Sequence, residues 1–516
     1  MSESTGSETV SLTFAVRRAA QVCRNGTAVI DGGSRMSWAE LESRIACVAG
    51  QLKNMNLQRG DRVAMLAVNS PMYLELLLAV WWCGGVIVPI NTRLAADEIG
   101  YILKHADVKL FLADAEMAEL ASSAGGSTST PIVLSPDIFA SWRTGAATDP
   151  TAPSYEETAG IFYTGGTTGL PKGVDLSHRN FAFAAAGMLR DLRLQPDSVY
   201  LHAAPMFHLA DFGIGLGVTL AAGAHSFLAK FTPQGIYQRL RDDGITHLNL
   251  VPTMLAAVLD APCRDDQLLA QVRHISYGAA PITPAQLERV LQGFPNAAIN
   301  QFYGMTELCG ASVYLCPERH VLSGPLAGKL RSAGQVIPGF ELRIADEGKN
   351  AVPIGTVGEI LMRGPAVMKG YWNDPVQTSR TLVDGWLHSG DCGYLDEDGF
   401  LYVVDRIKDM IISGGENVYC SEVENALASH EAVQACAVVG LPDKKWGERV
   451  HAVVVRKAGT EISTAELDAH LRSRIAGYKV PKSYEFSDAL PLSAVGKVQK
   501  KVLREQCLLR SKGKHG

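Results

Sequence analysis

The chain contains 516 residues, of which 47% are hydrophobic and 20% are charged, and its formal net charge is −5. This composition excludes collagen-like, disordered and disulfide-stapled classes, and the length exceeds what one hydrophobic core usually sustains. The small net charge also excludes nucleic acid as the main partner.

The cysteines and the apolar runs predict a cytoplasmic protein without a transmembrane segment. The ten cysteines include no CxxC pair, and the first ten residues lack the basic and apolar blocks of a signal peptide. Neither a zinc nor a disulfide framework is therefore expected. Two apolar runs, 72–90 and 212–229, are interrupted by glycines and by Glu75 and His225. Each predicts a buried helix, a glycine turn and a buried strand.

In chain order, the first part alternates short β-rich runs with amphipathic helical stretches. This alternation predicts α/β layers with largely parallel sheets. The predicted elements are a strand at 62–68, a helix at 72–82, and strands at 86–89, 110–113 and 132–134. Two runs rich in Gly, Ser, Thr and Pro predict loops at 122–130 and 145–155.

After Gly355 the pattern becomes that of β-hairpins, and then that of a smaller α+β segment. The strands predicted there are 359–362, 399–404, 435–439 and 451–455. We predict a boundary at 405–408, which divides the chain into an N-terminal domain, 1–405, and a C-terminal domain, 406–516.

The glycines, 50 in all, concentrate in one run, YTGGTTGLPKG at 163–173. Glycines let the backbone turn its N–H groups toward an anion, while the threonine hydroxyls and Lys172 add donors and positive charge, which suits a polyphosphate. The run is not the P-loop of the NTPases, because Pro171 precedes the lysine and Gly173 follows it. The candidate phosphate-binding residues are Thr164, Gly165, Gly166, Thr167, Thr168, Gly169 and Lys172.

This run resembles the phosphate loop of the adenylate-forming (AMP-binding) superfamily, which includes acyl-CoA synthetases, luciferases and the adenylation domains of peptide synthetases. Four further motifs of that superfamily follow in the family's order: YGMTE at 303–307, WLHSGD at 386–391, DRIKD at 405–409 and PLSAVGK at 491–497. Ser389 stands where the family usually has threonine. The segment 322–334 resembles the acyl-CoA synthetase branch that contains bacterial fatty-acid and aromatic-acid CoA ligases.

The resemblance implies an α/β fold with a large N-terminal domain of two α/β-layered sheets plus a small β-barrel-like subdomain. A small, mobile α+β C-terminal domain would follow. ATP, Mg²⁺, CoA and a small-molecule carboxylic acid are the implied ligands. The oligomeric state stays open, with a homodimer as one option.

For the nucleotide, the resemblance assigns Thr306 and Glu307 to catalysis, with Glu307 as the Mg²⁺ ligand. A hydroxyl and a hard carboxylate suit phosphate oxygens and that ion. Asp391, expected in a turn, would accept both ribose hydroxyls, and Arg406 would donate to the ribose. The other implied nucleotide contacts are Gly278, Ala279, Ala280 and Tyr303.

Lys497 corresponds to the family's mobile lysine, which bridges the acid and ATP during adenylation. The chemistry explains the need, because a carboxylate must attack an already anionic phosphoryl group and a desolvated lysine offsets the accumulating charge. Lys408 corresponds to the hinge about which the small domain rotates between two half-reactions.

The second half-reaction implies a CoA site in the C-terminal domain. Gly414 and Gly415 would border a tunnel for the CoA thiol, since a pantetheine arm needs backbone without Cβ atoms in its way. Trp446, Tyr478 and Lys482 match positions that contact the CoA nucleotide in some aryl-CoA ligases. This sequence has Val480 where those relatives have a basic residue, which weakens that part of the match.

The segment PMFHLADF at 205–212 resembles the family's acid-binding segment. Phe207 and His208 would lie beside the carboxylate, with His208 in a gating role. Small or aliphatic residues predict an apolar and fairly long cavity: Ala210, Ile214, Gly215, Gly278 and Gly304. Such a cavity favours a medium or longer fatty acid, or an aryl-alkyl acid, over acetate.

Asp211 departs from the family, which usually has a small residue at this position. We assign it to the acid site with two interpretations left open. It either recognises a polar or cationic tail of the acid or lies at the rim of the pocket in contact with water.

Together the motifs predict an ATP-dependent acid–CoA ligase that forms an acyl-AMP, releases pyrophosphate and then transfers the acyl group to CoA. Two alternatives share the adenylate. One is an acyl-AMP ligase that loads a carrier protein, and the other is a luciferase-like oxygenase.

Overall fold

The computed structural model describes residues 12–125, 131–165, 170–278, 282, 284–492 and 498–512. These residues form the following strands: β1 (Thr27–Asp31), β2 (Ser34–Ser37), β3 (Arg62–Leu66), β4 (Val86–Pro89), β5 (Val108–Asp114), β6 (Ile132–Leu134), β7 (Thr158–Thr164), β8 (Lys172–Ser177), β9 (Val199–His202), β10 (Ala224–Phe227), β11 (His247–Asn249), β12 (His274–Gly278), β13 (Ala298–Met305), β14 (Gly310–Leu315), β15 (Gln335–Val336), β16 (Glu341–Ala345), β17 (Gly358–Arg363), β18 (Gly370–Tyr371), β19 (Leu382–Val383), β20 (Trp386–Leu395), β21 (Leu401–Arg406), β22 (Ile411–Ser413), β23 (Glu416–Val418), β24 (Val433–Asp443), β25 (Gly447–Arg456) and β26 (Ser483–Phe486).

The α-helices of the same residues are α1 (Thr13–Val22), α2 (Trp38–Asn54), α3 (Pro71–Trp82), α4 (Ala96–His105), α5 (Ala118–Gly125), α6 (Pro136–Arg143), α7 (His178–Asp191), α8 (Leu209–Ala221), α9 (Pro233–Asp243), α10 (Pro252–Leu259), α11 (Asp266–Ala270), α12 (Pro284–Gly293), α13 (Pro375–Thr381), α14 (Cys420–Ala428), α15 (Thr464–Arg472) and α16 (Lys500–Lys512). Among the described residues, no helix has both the length and the apolar character needed to cross a bilayer.

The chain divides into two compact units. The first comprises residues 1–330, 334–341 and 363–387, and the second comprises 331–333, 342–362 and 388–516. The boundary predicted at 405–408 falls inside the second unit. That a C-terminal domain beginning there moves relative to the rest stays a prediction.

Two mixed sheets carry the first unit. The seven-stranded sheet has the order β18–β8–β7–β4–β3–β5–β6, and the nine-stranded sheet has the order β15–β14–β13–β12–β11–β9–β10–β1–β2. Inner neighbours such as β3 and β4, or β12 and β13, run parallel. The edge strands β18, β15 and β2 pair antiparallel with their neighbours, whereas the edge strand β6 is parallel to β5. The predicted α/β layering with largely parallel sheets is confirmed.

Two five-stranded sheets follow. In one, β17 lies between β16 and β20, and β21 pairs with β20, in the region where the barrel-like subdomain was predicted. The other is an α+β sheet of order β23–β22–β25–β24, with β26 parallel to β25. A separate core of aliphatic side chains from β24, β25, α14 and α15 supports this last sheet.

Local signals explain most of the elements. Helix α3 begins where the Ser70 hydroxyl accepts the Tyr73 N–H and Pro71 occupies the first helical turn. Both apolar runs form the predicted helix, turn and strand, as α3 with β4 and as α8 with β10. The loop predicted at 122–130 is wrong at its start, because α5 continues to Gly125; residues 126–130 lie outside the described residues.

Several buried histidines predict that the first unit loses stability in mild acid. Burial lowers the pKa of His178, His274 and His320 to about 4, and that of His247 to about 3. Below the unfolded pKa of about 6.5, the unfolded chain therefore binds more protons than the folded chain. We expect the urea midpoint to fall steadily between pH 7.5 and pH 5. A midpoint that is constant or rises over this range would contradict the expectation.

Candidate functional site

The segment predicted to bind phosphate, 163–173, joins two antiparallel strands of the seven-stranded sheet. Thr164, at the end of β7, lies opposite Lys172, at the start of β8. A Cβ atom on Gly173 would lie 2.8 Å from the Ile161 side chain, so close packing also requires that glycine. Four predicted loop residues lie outside the described residues: Gly166, Thr167, Thr168 and Gly169.

Tyr371 brings the loop lysine and the predicted metal ligand together. Its hydroxyl donates to Glu307 Oε1 at 2.8 Å, and the Lys172 ammonium lies 5.2 Å from the centre of its ring. Burial, aided by the negative charge of Glu307, raises the pKa of Tyr371, so the phenol stays protonated as a donor. Sequence reasoning missed this residue, which is placed here because β18 pairs with β8.

Glu307 lies in a short 3₁₀ turn, Thr306–Leu308, directly after β13. The Met368 N–H donates to the Glu307 carbonyl at 2.8 Å and anchors the turn. With one carboxylate oxygen oriented by Tyr371, this carboxylate suits Mg²⁺, which binds through one or two carboxylates together with phosphate oxygens and water. The Lys172 ammonium, beside the same tyrosine ring, is a positive charge of the kind that binds phosphate oxygens.

The glycines assigned to the nucleotide and the acid have packing roles within the nine-stranded sheet. A Cβ atom on Gly278 would lie 2.4 Å from the Phe302 carbonyl oxygen, and one on Gly304 would lie 1.8 Å from that of Gly310. Next to Tyr303, the register of β13 against β14 shifts at Gly304. The backbones of neighbouring strands approach so closely at these two positions that only glycine fits. Ala279 and Ala280 lie outside the described residues.

The residues assigned to the acid lie at the start of helix α8 and differ in exposure. His208 occupies the N-cap position, and its ring centre lies 4.5 Å from that of the buried Phe207. Ala210 is exposed, and its carbonyl accepts from the Asn249 amide at 3.3 Å. Ile214 packs in a buried cluster with aliphatic and aromatic neighbours.

Of the two interpretations left open for Asp211, the water-exposed pocket rim is wrong, and both carboxylate oxygens are engaged by protein groups instead of facing a cavity for the acid. Its side chain is 0% exposed, with Oδ1 accepting from the Tyr200 hydroxyl at 2.7 Å and Oδ2 lying 2.6 Å from His202 Nδ1. The chain continues from His202 Nε2 to His225 Nδ1 at 2.9 Å, and from His225 Nε2 to the Thr219 hydroxyl at 3.2 Å. The sequence offered no local signal for this, because the partners lie on β9 and β10.

In the second unit, the ribose residues assigned from the motifs lie side by side. Asp391 on β20 is opposite Arg406 on β21, and Asp391 Oδ1 lies 3.2 Å from Arg406 Nε. Asp391 lies within a strand, so its predicted position in a turn is wrong. Glu359, which sequence reasoning missed, holds this segment through His388 Nδ1 at 2.7 Å and the Gly390 N–H at 3.1 Å.

The residues assigned to CoA fall on three segments of the second unit. Gly414 and Gly415 have φ of 64° and 86° in the turn between β22 and β23, and a Cβ atom on Gly414 would lie 2.8 Å from the Trp446 ring. Tyr478 is exposed, and Lys482 Nζ donates to the Gly477 carbonyl at 3.3 Å.

The predicted hinge residue Lys408 lies in a 3₁₀ turn, Ile407–Asp409, directly after β21. Lys497 lies outside the described residues. It precedes α16, which begins at Lys500.

Comparison with known proteins identifies the family. The AMP-binding enzyme family matches residues 16–372, and the AMP-binding enzyme C-terminal domain matches residues 422–497. A feruloyl-CoA synthase from an Amycolatopsis species is 39% identical over 497 residues, which cover 95% of this chain and 97% of that protein. A fatty acid–[acyl-carrier-protein] ligase from Streptomyces coeruleorubidus is 36% identical, covering 93% of each chain.

A solved structure extends the match to the whole fold. The o-succinylbenzoate CoA synthetase of Bacillus subtilis, in complex with its acyl-adenylate intermediate, superimposes with a TM-score of 0.83 at 30% identity. The match covers 95% of this chain and 97% of that chain. The chain therefore belongs to the AMP-binding enzyme family, in its acyl-CoA synthetase branch, as its motifs predicted.

Proposed function

We propose that the protein is an ATP-dependent carboxylic acid–CoA ligase. The observation that carries the proposal is the arrangement of Lys172 and Glu307 around Tyr371, because it combines a cation for phosphate oxygens with an oriented carboxylate. The feruloyl-CoA synthase and the o-succinylbenzoate CoA synthetase support the CoA step, since they align over nearly the whole chain.

In the first half-reaction, a carboxylate oxygen of the acid would attack the α-phosphorus of ATP. The new oxygen–phosphorus bond yields acyl-AMP, and the bond to the β-phosphate breaks to release pyrophosphate. Lys172 would offset the charge of the phosphates, and Lys497 that of the transferring phosphoryl group. A Mg²⁺ ion bound by Glu307 would supply further charge neutralisation.

In the second half-reaction, the CoA thiol would lose its proton and attack the acyl carbon, which breaks the acyl–phosphate bond and releases AMP. We propose that Asp391 and Arg406 hold the ribose, that Lys408 is the hinge, and that Gly414, Gly415 and Trp446 border the thiol path. Tyr478 and Lys482 are proposed contacts of the CoA nucleotide.

We propose an apolar acid with an aryl-alkyl or medium to long aliphatic chain. Phe207 and the absence of a charged side chain among Ala210, Ile214 and Gly304 favour an apolar substrate over acetate. The feruloyl-CoA synthase makes an aryl-alkyl acid the first choice to test.

The test is an acid panel measured by two readouts, pyrophosphate release and thioester formation with CoA. The panel should contain acetate, aliphatic acids of increasing length and hydroxylated or unsubstituted phenylpropenoic acids. We expect acid-dependent pyrophosphate release and CoA thioester from at least one apolar acid. Pyrophosphate release without any CoA thioester would overturn the CoA step while leaving adenylation intact.

A carrier-protein ligase is the second candidate, since the Streptomyces coeruleorubidus relative has that activity in its name. Hydroxylamine distinguishes the two, because it traps an adenylate that CoA does not discharge. A trapped adenylate that a phosphopantetheinylated carrier protein, and not CoA, discharges would favour this candidate.

Tyr371→Phe tests the hydroxyl that orients Glu307. A hydrogen bond to a charged group contributes about 1.5–3 kcal/mol, so we expect adenylation to slow by about tenfold or more while the fold persists. The matched control is Tyr237→Phe, which removes a buried hydroxyl that donates to the Val258 carbonyl outside this cluster. Equal rates of pyrophosphate release in Tyr371→Phe and the wild type would refute this role.

A further inference from the structure

Three side chains of metal-binding type converge in the second unit, and none of the three is assigned to the ligase reaction. His451 lies on β25, Glu485 on the neighbouring parallel strand β26, and Cys507 on helix α16. One ligand atom from each residue lies within 4.8 Å of the other two. The strands and the packing of Cys507 against β24 create this convergence.

The imidazole of His451 is buried with one nitrogen unused. The residue is 6% exposed, and its Nε2 has no hydrogen-bond partner among the described residues. Its Nδ1 lies 2.8 Å from the Ser483 hydroxyl. When that hydroxyl accepts a hydrogen bond from Nδ1–H, the lone pair of the ring resides on Nε2. Hydrogen-bond partners fix metal-binding histidines in the same way.

Two acceptor atoms face each other at this point. His451 Nε2 lies 3.9 Å from Glu485 Oε2, which is too long for a hydrogen bond. Burial, with help from Arg449 and Arg510, lowers the pKa of His451 to about 4. An imidazole nitrogen without a hydrogen-bond partner among the described residues therefore faces a carboxylate oxygen at about the separation of two ligands of one metal ion.

Arg510 covers the site from the outside. Its guanidinium lies 3.1 Å from Glu485 Oε1 and 3.8 Å from Cys507 Sγ, and its side chain is 49% exposed. Cys507 itself is buried, at 3% exposure. Because Arg510 is on the last turns of α16, its side chain can move into solvent without changing the backbone of the three converging residues.

We propose that His451, Glu485 and Cys507 bind one thiophilic divalent cation of the Zn²⁺ type. An N, O and S donor set selects such an ion over Mg²⁺ or Ca²⁺. Tetrahedral bonds of about 2.0–2.3 Å place ligand atoms about 3.5 Å apart, so the three side chains need to approach by about 1 Å. Binding would displace the Cys507 thiol proton and the Arg510 guanidinium, and water would complete the coordination.

A bound ion would cross-link helix α16 to the sheet. Since α16 follows the segment that contains Lys497, the bound ion would tie the far end of that helix to β25 and β26. Metal binding would therefore raise the resistance of the C-terminal helix to proteolysis.

Cobalt titration of the full-length, reduced and chelator-treated protein tests the proposal, because Co²⁺ bound to a thiolate gives a near-ultraviolet charge-transfer band. We expect one Co²⁺ per chain with that band, and its loss when Zn²⁺ is added. Cys507→Ser should abolish the band, and His451→Gln should weaken Co²⁺ binding at least about tenfold. Cys263→Ser, which removes an exposed thiol, is the control and should keep the band.

Arg510→Gln provides a test that misfolding cannot imitate, because removal of the competing guanidinium should tighten Co²⁺ binding by about tenfold or more. Arg504→Gln is the matched control on the same helix, since Arg504 pairs with Glu448 instead, and it should leave Co²⁺ binding unchanged. A wild-type protein without the band, a band that survives Cys507→Ser, or equal affinity in Arg510→Gln and Arg504→Gln would overturn the proposal.

Discussion

Lys497→Ala is expected to reduce acyl-AMP formation by on the order of 10²–10³ while sparing the transfer of a supplied acyl-AMP to CoA. The physical reason is the charge of the first transition state, in which a carboxylate attacks an anionic phosphoryl group. Loss of a desolvated cation at that point removes stabilisation that water does not replace. The thioester step has no attacking anion on phosphorus and so does not need the same lysine.

The measurement uses two separate assays on one variant: acid-dependent pyrophosphate release, and thioester formation from synthetic acyl-AMP and CoA. Lys501→Ala, which removes an exposed lysine four residues further along the chain, is the matched control. We expect both reactions to continue in that control. Unchanged pyrophosphate release in Lys497→Ala would refute the assignment of this lysine, and loss of both reactions would point to general damage to the C-terminal unit.

Asp211→Ala is expected to cost about 2–5 kcal/mol of the free energy of unfolding, because each buried donor that loses its acceptor costs about 1–3 kcal/mol. The substitution would leave the Tyr200 hydroxyl and the His202 Nδ1–H without their acceptor, in a site that is 0% exposed at Asp211. Next to these donors, His202 and His225 are stacked with ring centres 5.3 Å apart, and both are buried.

Urea unfolding of Asp211→Ala measures this cost. Asp197→Ala is the matched control, since Asp197 forms an exposed ion pair with Arg273 at 2.9 Å and such pairs contribute about 0–1 kcal/mol. Asp211→Asn should fall between the two, because its amide oxygen keeps one acceptor. A loss below about 1 kcal/mol in Asp211→Ala would contradict the structural role of the carboxylate.

Glu307 and Tyr371 show where local patterns were sufficient and where they were not. The YGMTE motif indicated Glu307, because its signal is contained in five consecutive residues. Tyr371 is 64 positions away and has no local signal, and it reaches Glu307 only because β18 pairs with β8. The same reason separates Lys172, which was predicted, from its neighbour Tyr371, which was not.

Asp211 shows the limit of a departure from a family pattern. Its position in an acid-binding segment suggested contact with substrate or water, yet the side chain is buried and its two hydrogen-bond partners, Tyr200 and His202, both lie on β9. Asp391 shows a smaller error of the same kind. Its motif suggested a turn, whereas β20 pairs with β21 at this position and therefore extends through Asp391.

The sequence by itself determined the α/β alternation, helix α3, the phosphate loop and the order of the family motifs. Each of these depends on apolar periodicity, capping residues or glycine freedom within a few consecutive positions. Only the tertiary structure decided that Tyr371 orients Glu307, that Asp211 is buried against His202, and that His451, Glu485 and Cys507 converge. These contacts depend on strand order and register, which result from the packing of the whole chain. No pattern in the residues adjacent in sequence predicts them.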